Sequence, residues 1–452
     1  MADHVQGSRL QRMARLAGVA ARTSRDLVAA RVRQSLQGNG EAELVANLTP
    51  TAERLVEVLG EMKGAATKLG QFLSLVDQDT FPAEARKALS KLLNQAPGTM
   101  DWPAVRQVVQ QELGAPPEER FATFDPVPLA SASMGQVHAA TTFEGREVVV
   151  KVQFPGVDKA IEADLRNAGV LSSALSMAGG MLDTRKYYDE LATVLRRELD
   201  YRQEAQQLRI YRDALRPWPD LVVPDILDEL SARRVLTLER LHGPTMLQFA
   251  QDETAPAEDR FRVGSQLVAA TWGPFLSKGV IHADPHPGNY IVMSEGRLGV
   301  LDFGATKHLS VPFTLSYWRL LDDSFHNRQS DLTGLLESAG FEMVGDRARI
   351  DKYLLGISAI VERPFTADFY DWGACRIALD VRSHVTHDAL VSLRCRAPEE
   401  GLMFYRSAAG SAGVLKMLRS AGDFRKVLKD ITAMARKHTD PDIEQALVAH
   451  GL

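Results

Sequence analysis

The chain has little cysteine, no long apolar run and no glycine-rich phosphate loop. Only Cys375 and Cys395 occur in 452 residues. Two thiols exclude a disulfide framework and fit a reducing compartment. No stretch reaches the ~18 apolar residues of a membrane-spanning helix. The most apolar segment, 168–182, is broken by serines and paired glycines. Charge of one sign is also scarce: the formal net charge is −5, which argues against a nucleic-acid-coating protein. The N-terminus lacks the apolar core of a secretory signal. Neither G-x-G-x-x-G nor a Walker A sequence precedes Lys151.

What is present is an ordinary soluble composition, 45% hydrophobic and 25% charged, with ample length for two lobes and an extension. The first 45 residues are basic, with Arg9, Arg12, Arg15, Arg22 and Arg25 beside an apolar stripe of Leu10, Met13, Leu16 and Val19. Such a helix suits an anionic membrane surface, a solvated arm or a transit peptide alike. Leu55, Val58, Leu59, Met62, Ala66, Leu69 and Leu73 recur at helical spacing, so 45–115 reads as a helical subdomain. Strand signals follow: Glu147–Val152, then Leu221–Val223 and Val235–Glu239, with 158–213 helical between them. From Glu258 onward the chain reads as mostly helical, ending in an amphipathic helix over Phe424, Leu428 and Ile431.

The chemistry concentrates in His282-Ala-Asp-Pro-His-Pro-Gly-Asn289, followed by Asp302-Phe-Gly304. Phosphoryl transfer needs a carboxylate beside the nucleophile and hard oxygen ligands for Mg²⁺. Asp284, Asn289 and Asp302 supply that set, and the five-residue step from Asp284 to Asn289 equals that of the protein-kinase catalytic loop. A rival use of the same loop makes His282, Asp284 and His286 metal ligands of a hydrolase. Pro285 and Pro287 oppose the helix such a histidine pair needs. Val148-Val-Val-Lys151 resembles the kinase strand whose lysine holds ATP phosphates. Its carboxylate partner is one of Glu198, Asp200 or Glu204. In place of a glycine loop stands 128–138, where small residues admit a nucleotide and Ser131 and Ser133 add donors.

Together these segments resemble the UbiB/AarF family of atypical kinases, particularly its ubiquinone-biosynthesis branch, over roughly residues 50–440. Lys68-Leu-Gly-Gln71 matches the family's K-x-G-Q signature. Ala130-Ser-Ala-Ser133 matches its Ala-rich loop, with Ser131 where alanine is usual. Glu198-Leu-Asp200 matches its E-x-D motif, and Glu204 its lysine-pairing glutamate. The resemblance implies an α+β, bilobal protein-kinase-like fold, predominantly helical. It divides the chain into a basic arm (1–45), a helical extension with K-x-G-Q (46–118), an N-lobe with a helical insertion (119–241) and a helical C-lobe (242–452).

The resemblance also implies roles. Lys151 pairs with Glu204 and holds phosphates, and Asp284 orients the attacking group. Asn289 and Asp302 bind Mg²⁺. Ala130, Ser131, Ala132, Ser133, Val149 and Lys151 surround ATP, with Glu239-Arg-Leu241 as the hinge that meets adenine. Lys68, Gln71, Glu198 and Asp200 gate the site. The implied function is an Mg²⁺-dependent atypical kinase or ATPase supporting isoprenoid quinone biosynthesis at a membrane surface. The alternatives are a nucleotide-dependent scaffold and a protein or small-molecule kinase. Expected partners are ATP, an anionic membrane surface, and quinone-biosynthesis proteins or lipid intermediates, with no nucleic acid. Family members often end in membrane-spanning helices; here any membrane contact is expected to be peripheral. The expected compartment is bacterial cytoplasm or, in a eukaryote, the mitochondrion.

Overall fold

A computed structural model describes residues 99–132, 134–163, 165–166, 192, 196, 199–282, 285–326, 328–392 and 394–452. The arm and the K-x-G-Q segment, with Lys68 and Gln71, lie outside the described residues, as do Ser133, Glu198 and Asp284. Through His308 the described strands are β1 (Thr123–Ala132), β2 (Gly135–Thr141), β3 (Glu147–Gln153), β4 (Leu221–Val222), β5 (Val235–Glu239), β6 (Val280–His282), β7 (Tyr290–Val292), β8 (Leu298–Val300) and β9 (Thr306–His308). The longer helices are α1 (Trp102–Leu113), α2 (Tyr201–Leu215), α3 (Met246–Gln251), α4 (Ala257–Lys278), α5 (Val311–Phe325), α6 (Leu332–Ser338), α7 (Arg347–Val361), α8 (Ile377–His387), α9 (Glu399–Met417), α10 (Phe424–Arg436) and α11 (Pro441–Ala449).

The described residues fall into two compact units. The first comprises 99–203 with Ile226–Leu238. Its sheet has the order β1-β2-β3-β5, with β1, β2 and β3 as an antiparallel meander. Gly145 turns the β2–β3 hairpin at φ +82°, where a side chain would be strained. Alternation along β3 sends Val148, Val150 and Val152 into one core, each fully buried. Helix α1 covers that face with Val105, Val108 and Val109, spaced i, i+3, i+4. Asp101 caps the helix by accepting from the Ala104 N–H at 3.1 Å, and Gly114 ends it in the left-handed conformation. Each buried valine contributes about 1.5–3 kcal/mol.

The second unit comprises Glu204–Asp225 and Glu239–Leu452. Its centre is α4, buried on nearly all sides from Gln266 to Ser277. Phe275 of α4 meets Phe313 and Tyr317 of α5 and Phe404 of α9 in one aromatic cluster. The ring pair Tyr317–Phe404 lies 4.4 Å apart. Gly279 ends α4 at φ +61° and delivers the chain into β6.

Two sequence expectations change. The helical reading of 158–213 breaks at Leu199-Asp200, because Asp200 caps a new helix at Tyr201. The helix over Phe424 is also not the last, since α11 follows. Pro441 at its first position starts it, and only Ile443 and Leu447 anchor it, too few for a clear apolar stripe.

Candidate active site

In the second unit, two antiparallel strand pairs bracket the motif residues. β6 pairs with β9, placing His282 opposite Thr306. β7 pairs with β8, placing Tyr290 opposite Val300. The catalytic loop therefore leaves β6 and enters β7, and the Asp302-Phe-Gly turn leaves β8 and enters β9. One further bond extends the β7–β8 ladder: the Leu301 N–H donates to the Asn289 carbonyl at 2.7 Å. Asn289 and Asp302, 13 residues apart in sequence, thus sit at the same end of one hairpin (302 − 289).

Asp302 adopts φ +57°, unusual for any residue but glycine. Four bonds hold this turn. Its Oδ1 accepts from the Gly304 N–H at 3.2 Å. Its carbonyl accepts from His282 Nε2. The Phe303 carbonyl accepts from the Thr306 N–H at 3.1 Å and Oγ1 at 3.0 Å. A carbonyl only accepts, so His282 Nε2 carries a proton. His286 Nδ1 accepts from the Gly288 N–H at 3.1 Å and caps the short turn Pro287–Asn289. One ring nitrogen of each histidine is thus engaged by backbone.

Sequence reasoning missed Tyr211. Its ring contacts His282 edge-on at 5.8 Å and Phe303 at 5.4 Å, and its hydroxyl donates to the Ala270 carbonyl. Full burial pushes its pKa well above the usual tyrosine value, so the phenol stays protonated and bonded. Tyr211 therefore links the catalytic-loop histidine to the Phe of Asp-Phe-Gly. Glu204 is buried on the same helix, two turns earlier. The stripe Glu204, Leu208, Tyr211, Leu215 follows helical spacing and was readable in sequence.

The hinge residues also lie in this unit. The Glu239 N–H donates to the Asp225 carbonyl at 2.8 Å, and its carboxylate accepts from the Asp225 N–H at 3.2 Å. Leu241 packs over Gly299 of β8, where an added Cβ would lie 2.7 Å from Leu241 Cδ1.

In the first unit, Val149 and Lys151 occupy the β3 face opposite the α1 core, both half-buried. Register aligns Ala130 with Val137 and Val137 with Lys151. The Ala-rich strand is thereby brought across the sheet to the lysine. The structure also exposes a spacing that the missing glycines hid. Ala130-x-Ala132-x-x-Gly135-x-Val137 keeps the positions of G-x-G-x-x-G-x-V, with alanine at the first two. Gly135 is required by close approach, since a Cβ there would lie 2.2 Å from the Val152 carbonyl oxygen. Ser131 pairs with Gln136 in the same hairpin.

Asp200 is engaged locally. Its carboxylate takes Arg202 Nε at 2.9 Å and Nη2 at 2.7 Å, and caps α2 by accepting from the Arg202 N–H at 3.1 Å. The Arg202 side chain holds the Asp200 carboxyl below the usual range. Among the described residues the directly bonded charge partner of Asp200 is Arg202; its expected gate partner Lys68 lies outside them.

Asn289 offers a neutral amide oxygen and Asp302 a carboxylate, the hard-oxygen chemistry Mg²⁺ prefers. A half-buried lysine on an apolar strand, a glycine-anchored hairpin and this oxygen pair define the α+β kinase-like class. Residues 91–335, over half the chain, match the ABC1 atypical kinase-like domain, and the chain belongs to that family of atypical kinases.

The atypical kinase coq-8, mitochondrial, of Caenorhabditis elegans is 32% identical over 302 residues, covering 64% of this chain. This chain spans 38% of that protein's length. The atypical kinase COQ8, mitochondrial, of Saccharomyces cerevisiae is 26% identical over 441 residues, covering 95% of this chain and 86% of the yeast protein. Among solved structures, Mycobacterium tuberculosis Rv3197, determined with erythromycin, is 27% identical with a TM-score of 0.59, covering 86% of this chain and 97% of that one. No helix among the described residues is long and apolar enough to cross a membrane.

Proposed function

We propose that the chain binds Mg·ATP and turns it over slowly, as an atypical kinase or ATPase supporting isoprenoid quinone biosynthesis at a membrane surface. The observation that carries this reading is the shared hairpin end of Asn289 and Asp302, tied by the Leu301–Asn289 bond. In this reading both residues hold Mg²⁺, which neutralises charge on the transferring phosphoryl group. Lys151 holds phosphates, and Asp284 orients the attacking group. Ala130 to Ser133 and Val149 flank the nucleotide. The Glu239 amide is already committed to Asp225. Adenine recognition therefore falls to the Glu239 carbonyl and the Leu241 amide. Lys68, Gln71, Glu198 and Asp200 gate the site.

The quinone role and the membrane partner extend the family membership and the names of the mitochondrial relatives. The test is ATP hydrolysis by the purified chain with anionic or neutral vesicles, beside Asp284→Asn. The expected result is a slow rate that rises with anionic vesicles and disappears in the variant. No turnover, despite an Mg·ATP-dependent rise in melting temperature, would replace the enzyme with a nucleotide-dependent scaffold.

A further inference from the structure

The first unit contains a concave basin of about 730 Å³ whose described lining shares only Asp200 with the residues of the proposed function. Its lining is rich in cations: Lys159, Arg166, Arg196, Arg202 and Arg233 face Asp158, Glu162 and Asp200. Among the described lining residues, five positive groups less three negative ones leave a net charge of plus two. Two carboxylates are already engaged. Glu162 takes Arg196 through two bonds, at 2.7 and 3.2 Å. Asp200 takes Arg202 at 2.9 and 2.7 Å. With those directly bonded pairs set aside, Lys159, Arg166 and Arg233 outnumber Asp158 among the described lining residues.

The chemistry of this surplus is specific. Four of the five cations are arginines, whose planar forks match oxyanions and remain charged at any working pH. Arg166 and Arg233 act behind the directly bonded Arg196 and Arg202 in holding the Glu162 and Asp200 carboxyls below their usual range. A concave wall focuses such a field more than a flat surface does. The volume lies within the range of small-molecule sites, enough for a phosphate with a compact organic body.

We infer that this basin binds a dianionic phosphate group, a phosphomonoester or a diphosphate, recruited by Arg166 and Arg233. Arg202 also lines the basin while holding Asp200, the cap of α2. A seated phosphate therefore competes with Asp200 for that guanidinium. Occupancy of the basin is coupled in this way to the start of the helix that carries Glu204. The same phosphate chemistry is presented by a soluble metabolite or by a lipid headgroup.

The experiment titrates inorganic phosphate into the full chain at saturating Mg·ATP, against chloride at matched ionic strength, and reads the melting temperature. Saturating nucleotide keeps phosphate out of the nucleotide site. Wild type should show a saturable rise. Arg166→Gln with Arg233→Gln should shift the half-point by about tenfold or more, the weight of charge-assisted bonds. That variant should keep the unliganded melting temperature and the Mg·ATP response, and Arg166→Lys with Arg233→Lys should recover part of the phosphate affinity.

Should the double variant melt early, each single change should still weaken phosphate alone. A second arm uses phosphatidic-acid and phosphatidylcholine vesicles. Loss of phosphatidic-acid binding in the double variant assigns the headgroup as the source, and unchanged vesicle binding with a lost phosphate response assigns a soluble ligand. The inference is overturned if wild type responds to phosphate no more than to chloride, or if the double variant responds as wild type does.

Discussion

The β7–β8 hairpin and the β1–β2 hairpin each present candidate nucleotide-site residues, but they are built on different principles. At the β7–β8 end, polar groups are fixed by backbone bonds: Leu301 to Asn289, His282 to Asp302 and Thr306 to Phe303. Buried rings of Tyr211, His282 and Phe303 brace that arrangement. At the β1–β2 end, position comes from register and from one glycine that must clear the Val152 carbonyl. The first design holds a carboxylate and an amide in place. The second holds a smooth, small-residue surface near a lysine. Phosphoryl transfer needs both, because its catalysis rests on positioning and charge balance.

The comparison can be broken from either side. Tyr211→Ala should remove the brace from the β7–β8 end alone and cost about 3–5 kcal/mol of stability. Tyr211→Phe should cost only about 1 kcal/mol, the share of the Ala270 bond. Urea unfolding of both variants separates packing from hydrogen bonding. Equal losses would show that the ring contacts contribute nothing.

Gly135→Ala should damage the other hairpin, by about 1–3 kcal/mol, because backbone at Val152 has to move. Its melting temperature should fall, while Mg²⁺ dependence of any residual nucleotide response stays as in wild type. Changed Mg²⁺ dependence would mean that the two ends are not separable.

Lys151→Met should sharpen the contrast from within the β-sheet. Nucleotide affinity should drop about tenfold or more, the scale of a lost charge-assisted bond. Calorimetry with a non-hydrolysable ATP analogue reads this directly, and unchanged affinity would detach Lys151 from the phosphates.

The smallest expected effect is on pH dependence. His138 in β2 donates from Nδ1 to the Asp125 carbonyl at 2.9 Å, and its Nε2 is buried without a partner. Burial lowers its pKa below the ordinary 6.5. The unfolded chain therefore binds a proton there before the folded chain does. The stability contributed by neutral His138 is fully present above pH 6.5 and declines as pH falls below it. His138→Asn should flatten the melting curve in that window. An unchanged slope would place the titration elsewhere.

Much of this was legible because kinase chemistry demands fixed residue types at fixed steps. Asn289 and Asp302 could be paired from spacing alone, and Val148–Lys151 could be placed on a strand from its alternation. Tyr211 was harder, since a buried tyrosine on an amphipathic helix looks like ordinary core until its neighbours are known. The Ala130-to-Val137 spacing was hidden because two alanines replace glycines, and only register reveals that Ala130 reaches the line of Lys151. The local bond between Asp200 and Arg202 was missed for another reason. A carboxylate that caps a helix two residues on carries no spacing signal of its own inside a motif.

The central claim is that Asn289 and Asp302 jointly hold Mg²⁺ against ATP phosphates. The most direct measurement is an Mg²⁺ titration of the ATP-dependent melting shift, in wild type and in Asp302→Asn. The account expects a saturable Mg²⁺ requirement in wild type. In the variant the requirement should weaken by about a hundredfold, as for loss of one preorganised charged contact, with the unliganded melting temperature retained. An ATP shift that ignores Mg²⁺, or an Asp302→Asn titration that overlays wild type, would contradict it.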